Sequence, residues 1–306
     1  VEGPYDFHGI KMVEDYEPNT ILTMEEILIY SSNIGTIKIA EELGRDRIHG
    51  KAKEFGFDSK TGLGLYGEPD GVLRDTKKWT LSSMHSIPIG YEISVTPIHV
   101  AMAYASIANG GFLLKPYLID DVRKDDELTQ RIKTRVLSPS NAKTLKSILF
   151  KTVNIGSGKK AYLEGWDVAG KTGTAQKSIS GGYSESKHLS SFVGFFPKDN
   201  PQLLALIIID EPSISGNQHF GGVSAAPVFK SVMNRIINID SSIKVDKKRE
   251  TKNINGKLKR SNQVLIQKNI ELVVVPDLKD KNVREAIQIL KLRGIKPQIT
   301  GSGRIV

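Results

Sequence analysis

The sequence predicts an α+β fold, in which an antiparallel sheet packs on helices, followed by a basic linker and a small appended unit. Three observations support this prediction. Helical segments come first, three strand segments follow close together, and one more helix closes the region. Residues 240–262 then carry eight Lys or Arg against three Asp or Glu. Residues 273–306 resume an apolar pattern that reads as strand, helix and strand.

The first two helices are predicted from their end signals. Thr23 and Glu26 form a capping box, in which each side chain satisfies a free backbone N–H at the helix start. That helix runs to Ser31-Ser32-Asn33, and a second helix continues from there to a stop at Gly44. The triplet therefore lies in a tight junction between helices. Taken alone, it is interpreted as capping chemistry, which Ser and Asn commonly provide.

The later helices start with the same kind of signal. Thr96-Pro97 and Ser138-Pro139 each place an N-cap hydroxyl before a proline in the first turn. The closing helix is predicted over Ala225–Ile239, and its apolar positions include Val228, Val232 and Ile236. Between the helices lie three strands, predicted around Lys171, over Ser191–Phe196 and over Leu203–Asp210.

Composition describes an ordinary globular protein of 306 residues, with 39% hydrophobic and 25% charged residues. The net charge of +9 comes largely from the basic segment, so it indicates a solvated tether rather than a nucleic-acid surface. The absence of cysteine excludes disulfides and thiolate chemistry. The six histidines lack metal-ligand spacing, so neither a metal nor another cofactor is expected. No apolar run approaches the roughly 18 residues of a membrane span.

Lys171-Thr172-Gly173-Thr174 is the strongest candidate for a functional strand. A cation, two hydroxyls and a glycine on one strand can form the wall of a site that a substrate backbone approaches closely. The three letters alone are a weak signal, since Lys60-Thr61-Gly62 repeats them inside a Gly-rich loop. The surroundings have to decide between the copies.

A nucleotide hydrolase is the main alternative suggested by pattern. Gly165–Thr172 fits the phosphate-loop motif G-x-x-x-x-G-K-[ST], and Leu203–Asp210 fits an apolar strand that ends in a magnesium-binding aspartate. A phosphate loop needs a buried strand before it and a helix that starts at its Lys-Thr. The residues before Gly165 do not form such a strand, and those after Thr172 lack a helical apolar repeat. The nucleotide hydrolase is kept as a remote alternative.

Several short sequence motifs, taken in chain order, resemble those of the class B penicillin-binding proteins, which are D,D-transpeptidases that cross-link peptidoglycan. They are Ile89-Gly90-Tyr91, Val95-Thr96-Pro97, Ala108-Asn109-Gly110-Gly111, Val168–Ala175, Phe220-Gly221-Gly222 and Ala226-Pro227-Val228-Phe229. The resemblance runs from about residue 20 to 239 and implies a penicillin-binding transpeptidase fold. Residues 273–306 resemble the first half of a PASTA domain, which points to the division-type group. The expected domains are a transpeptidase portion (1–239), a linker (240–272) and a partial PASTA domain (273–306).

This family uses three motifs, S-x-x-K with the nucleophile, then S-x-N, then K-T-G. Ser31-Ser32-Asn33 matches the second and Lys171-Thr172-Gly173 the third. Residues 1–30 contain no serine. The S-x-x-K strings that do occur follow Ser31, in the wrong order; they begin at Ser140, Ser157, Ser184 and Ser241. The nucleophile and a membrane anchor are therefore expected upstream of Val1, with the chain alone inactive and its fold truncated at the N-terminal side.

The resemblance also implies a role for each site residue. Ser31 would relay a proton to the serine nucleophile, and Asn33 would position the peptide. Lys171 would supply positive potential, while the hydroxyls of Thr172 and Thr174 would bind the terminal carboxylate of the substrate. Gly173 would let the substrate backbone approach. The backbone N–H of Thr174 would form half of the oxyanion hole.

The implied partners are stem peptides ending in D-Ala-D-Ala, β-lactams, and membrane proteins of the division or elongation machinery, with no nucleic acid. The implied location is the cytoplasmic membrane, with the catalytic domain on its extracytoplasmic, periplasmic side. A non-catalytic module that binds the cell wall or division proteins is the alternative from another class. A serine β-lactamase shares the fold, but it would not need the PASTA-like tail.

Overall fold

A three-stranded antiparallel sheet with helices packed on both faces forms the centre of the described structure. The computed structural model describes residues 6–7, 10–11, 21–118, 133–180, 182–240 and 243. All of them fall within a unit that extends from Val1 to Asp246. The predicted linker, apart from Asp240 and Ile243, and the predicted PASTA-like unit lie outside the described residues. Among the described residues, no helix combines the length and apolar character that crossing a bilayer requires.

The α-helices are α1 (Met24–Tyr30), α2 (Asn33–Leu43), α3 (Arg45–Glu54), α4 (Ser83–Ser86), α5 (Pro97–Ala108), α6 (Pro139–Asn154) and α7 (Ala225–Ile239). Short 3₁₀ turns occur at Thr76–Lys78, Ile87–Ile89, Lys159–Ala161 and Ser215–Asn217. The predicted helix starts at residues 23, 96 and 138 are confirmed, because the hydroxyl of each N-cap accepts a backbone N–H of the first turn.

The strands are β1 (Asp6–Phe7), β2 (Ile10–Lys11), β3 (Phe112–Leu114), β4 (Lys133–Arg135), β5 (Ala169–Ile179), β6 (Gly182–Phe196) and β7 (Leu203–Asp210). The central sheet has the order β5-β6-β7, and both pairings are antiparallel. The register places Lys171 opposite Val193 and Thr174 opposite Ser190. The β1–β2 and β3–β4 pairs form separate two-stranded sheets.

The core lies on both faces of β6. Phe192 and Phe196 pack on one face against Phe229 of α7. Phe195 points the other way and packs with Leu149 of α6 and Ala108 of α5. Both faces of this part of β6 are covered, so successive residues are buried instead of alternating with exposed ones. The predicted arrangement of an antiparallel sheet on helices is confirmed.

The structure also has α4 and the strands β1 to β4, which the sequence did not predict, and three further details differ from the prediction. Strand β6 begins nine residues before the predicted Ser191, because its outer half is polar and carries no apolar signal. Helix α3 has no buried residue, so no apolar periodicity marks it. In α7 the bounds are as predicted, but Val228 and Val232 are 40% and 37% exposed, while Phe229 and Met233 are buried. Because the aromatic ring of Phe229 fits between β6 residues, it sets which face of α7 turns inward.

Candidate active site

At the junction between α1 and α2, Ser31 differs from its neighbour Ser32 in backbone conformation and in the use of its hydroxyl. Ser32 is the N-cap of α2, and its hydroxyl accepts the backbone N–H of Gly35 at 3.0 Å. The capping interpretation is therefore correct for Ser32. Ser31 has a left-handed backbone with φ of 65°, which is costly for a residue with a Cβ. A strained backbone conformation of this kind is common at functional positions.

The junction is tight because Gly35 has no side chain. A Cβ at Gly35 would come within 2.6 Å of Ile27 Cγ1 and 2.9 Å of Ser32 Oγ. Ile27 and Ile34 are both buried where α1 and α2 meet. The packing of these helices fixes the left-handed turn at Ser31 and so fixes the direction of its hydroxyl.

Lys171 lies near the start of β5 and reaches the α1–α2 junction. Its Nζ donates a hydrogen bond to Ser31 Oγ at 2.6 Å and another to the carbonyl of Thr172 at 3.2 Å. Ser31 and Lys171 are 140 residues apart in the chain. Helix α6 brings them together, since it packs against both α1 and β5. The lysine and serine motifs predicted from the sequence are thus adjacent in the structure.

Protein atoms surround the ammonium group of Lys171, although part of the side chain remains accessible to solvent. This desolvation lowers the pKa of Lys171 from its ordinary 10.5 to about 8. At neutral pH the group is still mostly charged. It can therefore attract an anion, and it can also give up a proton more readily than an exposed lysine.

Strand β5 is the edge of the described sheet, and two hydrogen bonds show how its free edge is oriented. The carbonyl of Thr172 accepts from Lys171 Nζ, and the N–H of Gln176 donates to the hydroxyl of Tyr91 at 3.2 Å. Along a strand, alternate residues direct their N–H and C=O groups to the same side. Thr174 lies two residues after Thr172 and two before Gln176. Its N–H therefore also points to the free edge, where Lys171 Nζ lies.

The hydroxyls of Thr172 and Thr174 already have protein partners. Thr172 Oγ1 lies 2.9 Å from Ser157 Oγ, and Thr174 Oγ1 accepts the backbone N–H of Gly221 at 3.0 Å. A hydroxyl that accepts one hydrogen bond still has its own hydrogen to donate. Thr174 can still donate its hydroxyl hydrogen. In the Ser157–Thr172 pair one hydroxyl donates to the other, so one hydroxyl hydrogen of the pair is left to donate. The edge of β5 can therefore offer two hydroxyl donors to an anion.

The structure brings most, but not all, of the predicted site residues together. Ser31 and Lys171 are in contact, and Thr172, Gly173 and Thr174 follow Lys171 along the same strand edge. Asn33 is the exposed first residue of α2, two positions after Ser31. Sequence reasoning assigned no role to Ser157, Gly221 or Tyr91, which contact β5 from three separate loops. Gly221 and Tyr91 belong to the phrases that carry the resemblance, and this was the only signal available for them.

The phosphate-loop alternative is wrong. Residues 169–179 form a strand, so no helix starts at Lys171-Thr172 to direct its N-terminus at a phosphate. Asp210, the candidate magnesium ligand, is bound to Lys177 at 2.8 Å on the outer part of the sheet.

The three S-x-x-K strings that the structure describes show no paired serine and lysine. Ser140 contacts Ser138 at an exposed helix start, and Ser184 accepts the backbone N–H groups of Ser186 and Lys187. Ser157 does lie beside β5, but its partner is Thr172 and Lys160 is exposed. None of these serines has the lysine neighbour that would activate it as a nucleophile.

An edge strand bearing Lys-Thr-Gly-Thr, with its lysine bonded to the first serine of a Ser-x-Asn junction, has two of the three motifs of the penicillin-binding class. The chain matches the family described as "Penicillin binding protein transpeptidase domain" over residues 3–234, and it belongs to this family.

The chain is 37% identical over 217 residues to Stage V sporulation protein D of Bacillus subtilis, covering 69% of this chain and 33% of that protein. It is 30% identical over 237 residues to the "Probable peptidoglycan D,D-transpeptidase PenA" of Neisseria meningitidis, covering 77% and 39%. Penicillin-binding protein 3 of Mycobacterium tuberculosis, solved in complex with aztreonam, superposes with a TM-score of 0.69 at 27% identity, covering 80% of this chain and 58% of that chain. The chain spans a third or slightly more of the length of these curated relatives.

Proposed function

We propose that this chain supplies the second and third motifs of a peptidoglycan D,D-transpeptidase of the cell-division type. The observation that supports this proposal most directly is the 2.6 Å hydrogen bond between Lys171 Nζ and Ser31 Oγ. It joins the two motifs at the free edge of β5. The naming of PenA as a probable D,D-transpeptidase and the aztreonam complex of penicillin-binding protein 3 agree with this chemistry.

In the proposed reaction, a serine hydroxyl attacks the carbonyl of the D-Ala–D-Ala bond. Its proton passes through Ser31 to the departing D-Ala amine, and an acyl-enzyme forms. The amine of a second stem peptide then attacks the acyl-enzyme, loses a proton to the same relay and releases the serine. Lys171, bonded to Ser31, holds the relay hydroxyl in place and biases its proton transfers through its charge.

The edge of β5 recognises the substrate in this proposal. The carboxylate of the terminal D-Ala is attracted by the ammonium of Lys171 and accepts hydrogen bonds from the hydroxyls on Thr172 and Thr174. Gly173 leaves the strand edge open between them. The N–H of Thr174, which faces the free edge, donates to the oxyanion of the tetrahedral intermediate. Asn33 positions the peptide from the α2 side. A β-lactam is recognised in the same way, through its own carboxylate and carbonyl.

We infer that the acylated serine is not one of the described S-x-x-K serines, because none of them has an activating lysine beside it. The string at Ser241 follows Ser31, which is the wrong order for the family, so on this proposal the S-x-x-K motif, with a membrane anchor, precedes the S-x-N motif and is none of these four strings. On this proposal residues 1–239 are part of the transpeptidase domain, 240–272 a linker and 273–306 part of a PASTA domain. The catalytic domain works outside the cytoplasmic membrane, with membrane proteins of cell division as partners.

Covalent labelling with a fluorescent penicillin tests this function. We expect no label on the 306-residue chain after denaturing electrophoresis. A chain extended by the sequence that its gene encodes upstream of Val1 is expected to carry one label on a serine. Replacing Ser31 by Ala in the extended chain removes the relay and should lower the labelling rate about 100-fold, the low end of the range for general acid–base catalysis.

Two results would contradict the proposal in different ways. Stable labelling of the 306-residue chain would place the nucleophile within it. An unlabelled extended chain that is folded would rule out penicillin-binding chemistry.

Calorimetry with magnesium-ATP tests the rejected phosphate loop separately, and no heat of binding is expected.

A further inference from the structure

The two-residue turn Gly156-Ser157 lies between the helix that carries Ser31 and the strand that carries Lys171. It follows the end of α6, and its own residues are partly buried. The N–H of Gly156 donates to the carbonyl of Thr152 at 3.1 Å, which ties the turn to the last turn of α6. The turn therefore has a fixed base, and its two remaining sides face α1 and β5.

On one side the turn contacts the C-terminal end of α1. The N–H of Ser157 donates to the carbonyl of Ile29 at 3.2 Å, two residues before Ser31. Carbonyls in the last turn of a helix have no partner within the helix, so this bond supplies one from a distant part of the chain. A Cβ at Gly156 would lie 2.2 Å from the same carbonyl oxygen, so only glycine allows this approach.

On the other side the turn contacts β5. Ser157 Oγ lies 2.9 Å from the hydroxyl of Thr172, the residue next to Lys171. The carbonyl of Ser157 lies against Gly222, where a Cβ would come within 2.5 Å of it. Gly222 follows Gly221, which donates to Thr174. The same turn thus touches the end of α1, the centre of the Lys-Thr-Gly segment and the loop that supports Thr174.

We propose that the Gly156-Ser157 turn is a positioning element of the active site, which fixes the separation of Ser31 from Lys171 and so allows the proton relay to form. The catalytic consequence rests on the proposed function, whereas the positioning itself is a property of the structure. Neither residue touches the reacting atoms; both act through Ile29 and Thr172.

A second polar contact between α1 and α6 contributes little to the position of Ser31. Glu25, in the first turn of α1, forms an ion pair with Lys151 at 2.7 Å, and both side chains are about 40% exposed. Exposed ion pairs contribute little, and this one lies at the end of α1 away from Ser31. The Gly156-Ser157 contact is at the end that carries the site, where a small displacement moves the Ser31 hydroxyl directly.

The test uses the 306-residue chain and measures the titration of Lys171 by NMR with ¹³C-labelled lysine. The Lys171 signal is identified as the one missing in Lys171→Arg. In Gly156→Ala, the added Cβ must push Ile29 away, so we expect Ser31 to leave Lys171 and solvent to enter. The pKa of Lys171 then rises from about 8 toward 10.5. Gly50→Ala is the matched control, since a Cβ there meets nothing within 4 Å, and it should leave the titration unchanged.

A second pair of variants covers the case in which Gly156→Ala does not fold. Ser157→Ala removes only the hydroxyl that holds Thr172, and we expect a smaller rise in the pKa of Lys171. Ser157→Thr keeps a hydroxyl at the same place and should restore the wild-type value. Ser140→Ala, at the far end of α6, is the control for loss of a serine hydroxyl and should change nothing.

An unchanged Lys171 titration in folded Ser157→Ala would overturn the proposal, as would an unchanged titration in folded Gly156→Ala. A raised pKa of Lys171 in Ser157→Thr would also overturn the proposal, because the change would then come from any substitution at this position and not from loss of the hydroxyl. These measurements need no substrate and no acyl transfer. If the extended chain took no penicillin label while the Lys171 titrations changed as expected, the proposed function would be wrong and the positioning role would stand.

Discussion

The chain contains Lys-Thr-Gly twice, and the two copies have different structures. Lys60-Thr61-Gly62 lies in a loop, where Lys60 is exposed and the backbone N–H of Thr61 donates to Glu68 at 3.0 Å. The hydroxyl of Thr61 is bonded to the same carboxylate. Gly62 has φ of +78°, a conformation that side chains disfavour. In this copy the threonine closes a loop and the glycine permits a turn.

Lys171-Thr172-Gly173 lies in the edge strand β5, and each residue has a different task there. Lys171 is partly buried and bonded to Ser31, and Thr172 pairs with Ser157. Gly173 lies within the strand, with space limited by Ser191, whose Oγ would be 2.5 Å from a Cβ. The triplet can serve a binding site only where its strand edge stays open and its lysine meets a second motif.

The largest expected difference between the copies is in acylation. In a chain that carries the nucleophile, Lys171→Ala should lower the rate of labelling by a fluorescent penicillin about 100-fold, the scale for losing one preorganised electrostatic group. Lys60→Ala should leave the rate within about twofold, because an exposed loop lysine has no preorganised partner there. Equal losses in the two variants would show that the lysines act only through overall charge.

The second difference concerns how stability depends on pH. The folded chain lowers the pKa of Lys171 to about 8, so above pH 8 the unfolded chain binds more protons than the folded one. Stability from this residue therefore increases as pH rises from 8 to 10.5. Relative to Lys171→Met, the wild type should gain free energy of unfolding over that range, as measured by urea titration. A pH dependence of stability in Lys171→Met that parallels the wild type would contradict the burial of Lys171.

The smallest expected effect is on the loop copy. Gly62→Ala places a side chain in a left-handed conformation and should lower the free energy of unfolding by about 1 kcal/mol. Penicillin labelling of the nucleophile-carrying chain should not change, because the nearest atoms to a Cβ at Gly62 belong to Lys115 and not to β5. Gly50→Ala, in the open middle of α3, is the control and should be neutral or slightly stabilising. A loss of labelling in Gly62→Ala would mean that the two copies are coupled.

Much of the fold was predictable because its signals are local. The hydroxyl caps at Thr23, Thr96 and Ser138 act within one helical turn, so the sequence places those helix starts correctly. The polar outer half of β6 and the polar helix α3 were missed because neither carries an apolar period. The burial of Phe229 in place of Val228 and Val232 depends on the shape of the β6 surface, which no local pattern describes.

The site shows the same division between local and distant information. Resemblance identified Ser31, Asn33, Lys171 and Thr174, but local sequence signals alone did not separate the capping serine from the one that meets Lys171. The structure does so, since Ser32 caps α2 while Ser31 has the left-handed backbone. Ser157 was considered only as part of an S-x-x-K string, and its contact with Thr172 becomes visible only when α6 and β5 are packed together.

The sequence by itself determined most of the long helices and the three strands of the central sheet, because caps, glycine stops and apolar periods act over a few residues. It also determined the family, through phrases that occur in a fixed order. Only the tertiary structure decided that Ser31 and Lys171 share a hydrogen bond across 140 residues, and that the Thr174 N–H faces the same open edge. The physical reason is that this contact has no local cause: it follows from α1 packing on α6, α6 packing on β5, and a turn small enough to fit between them.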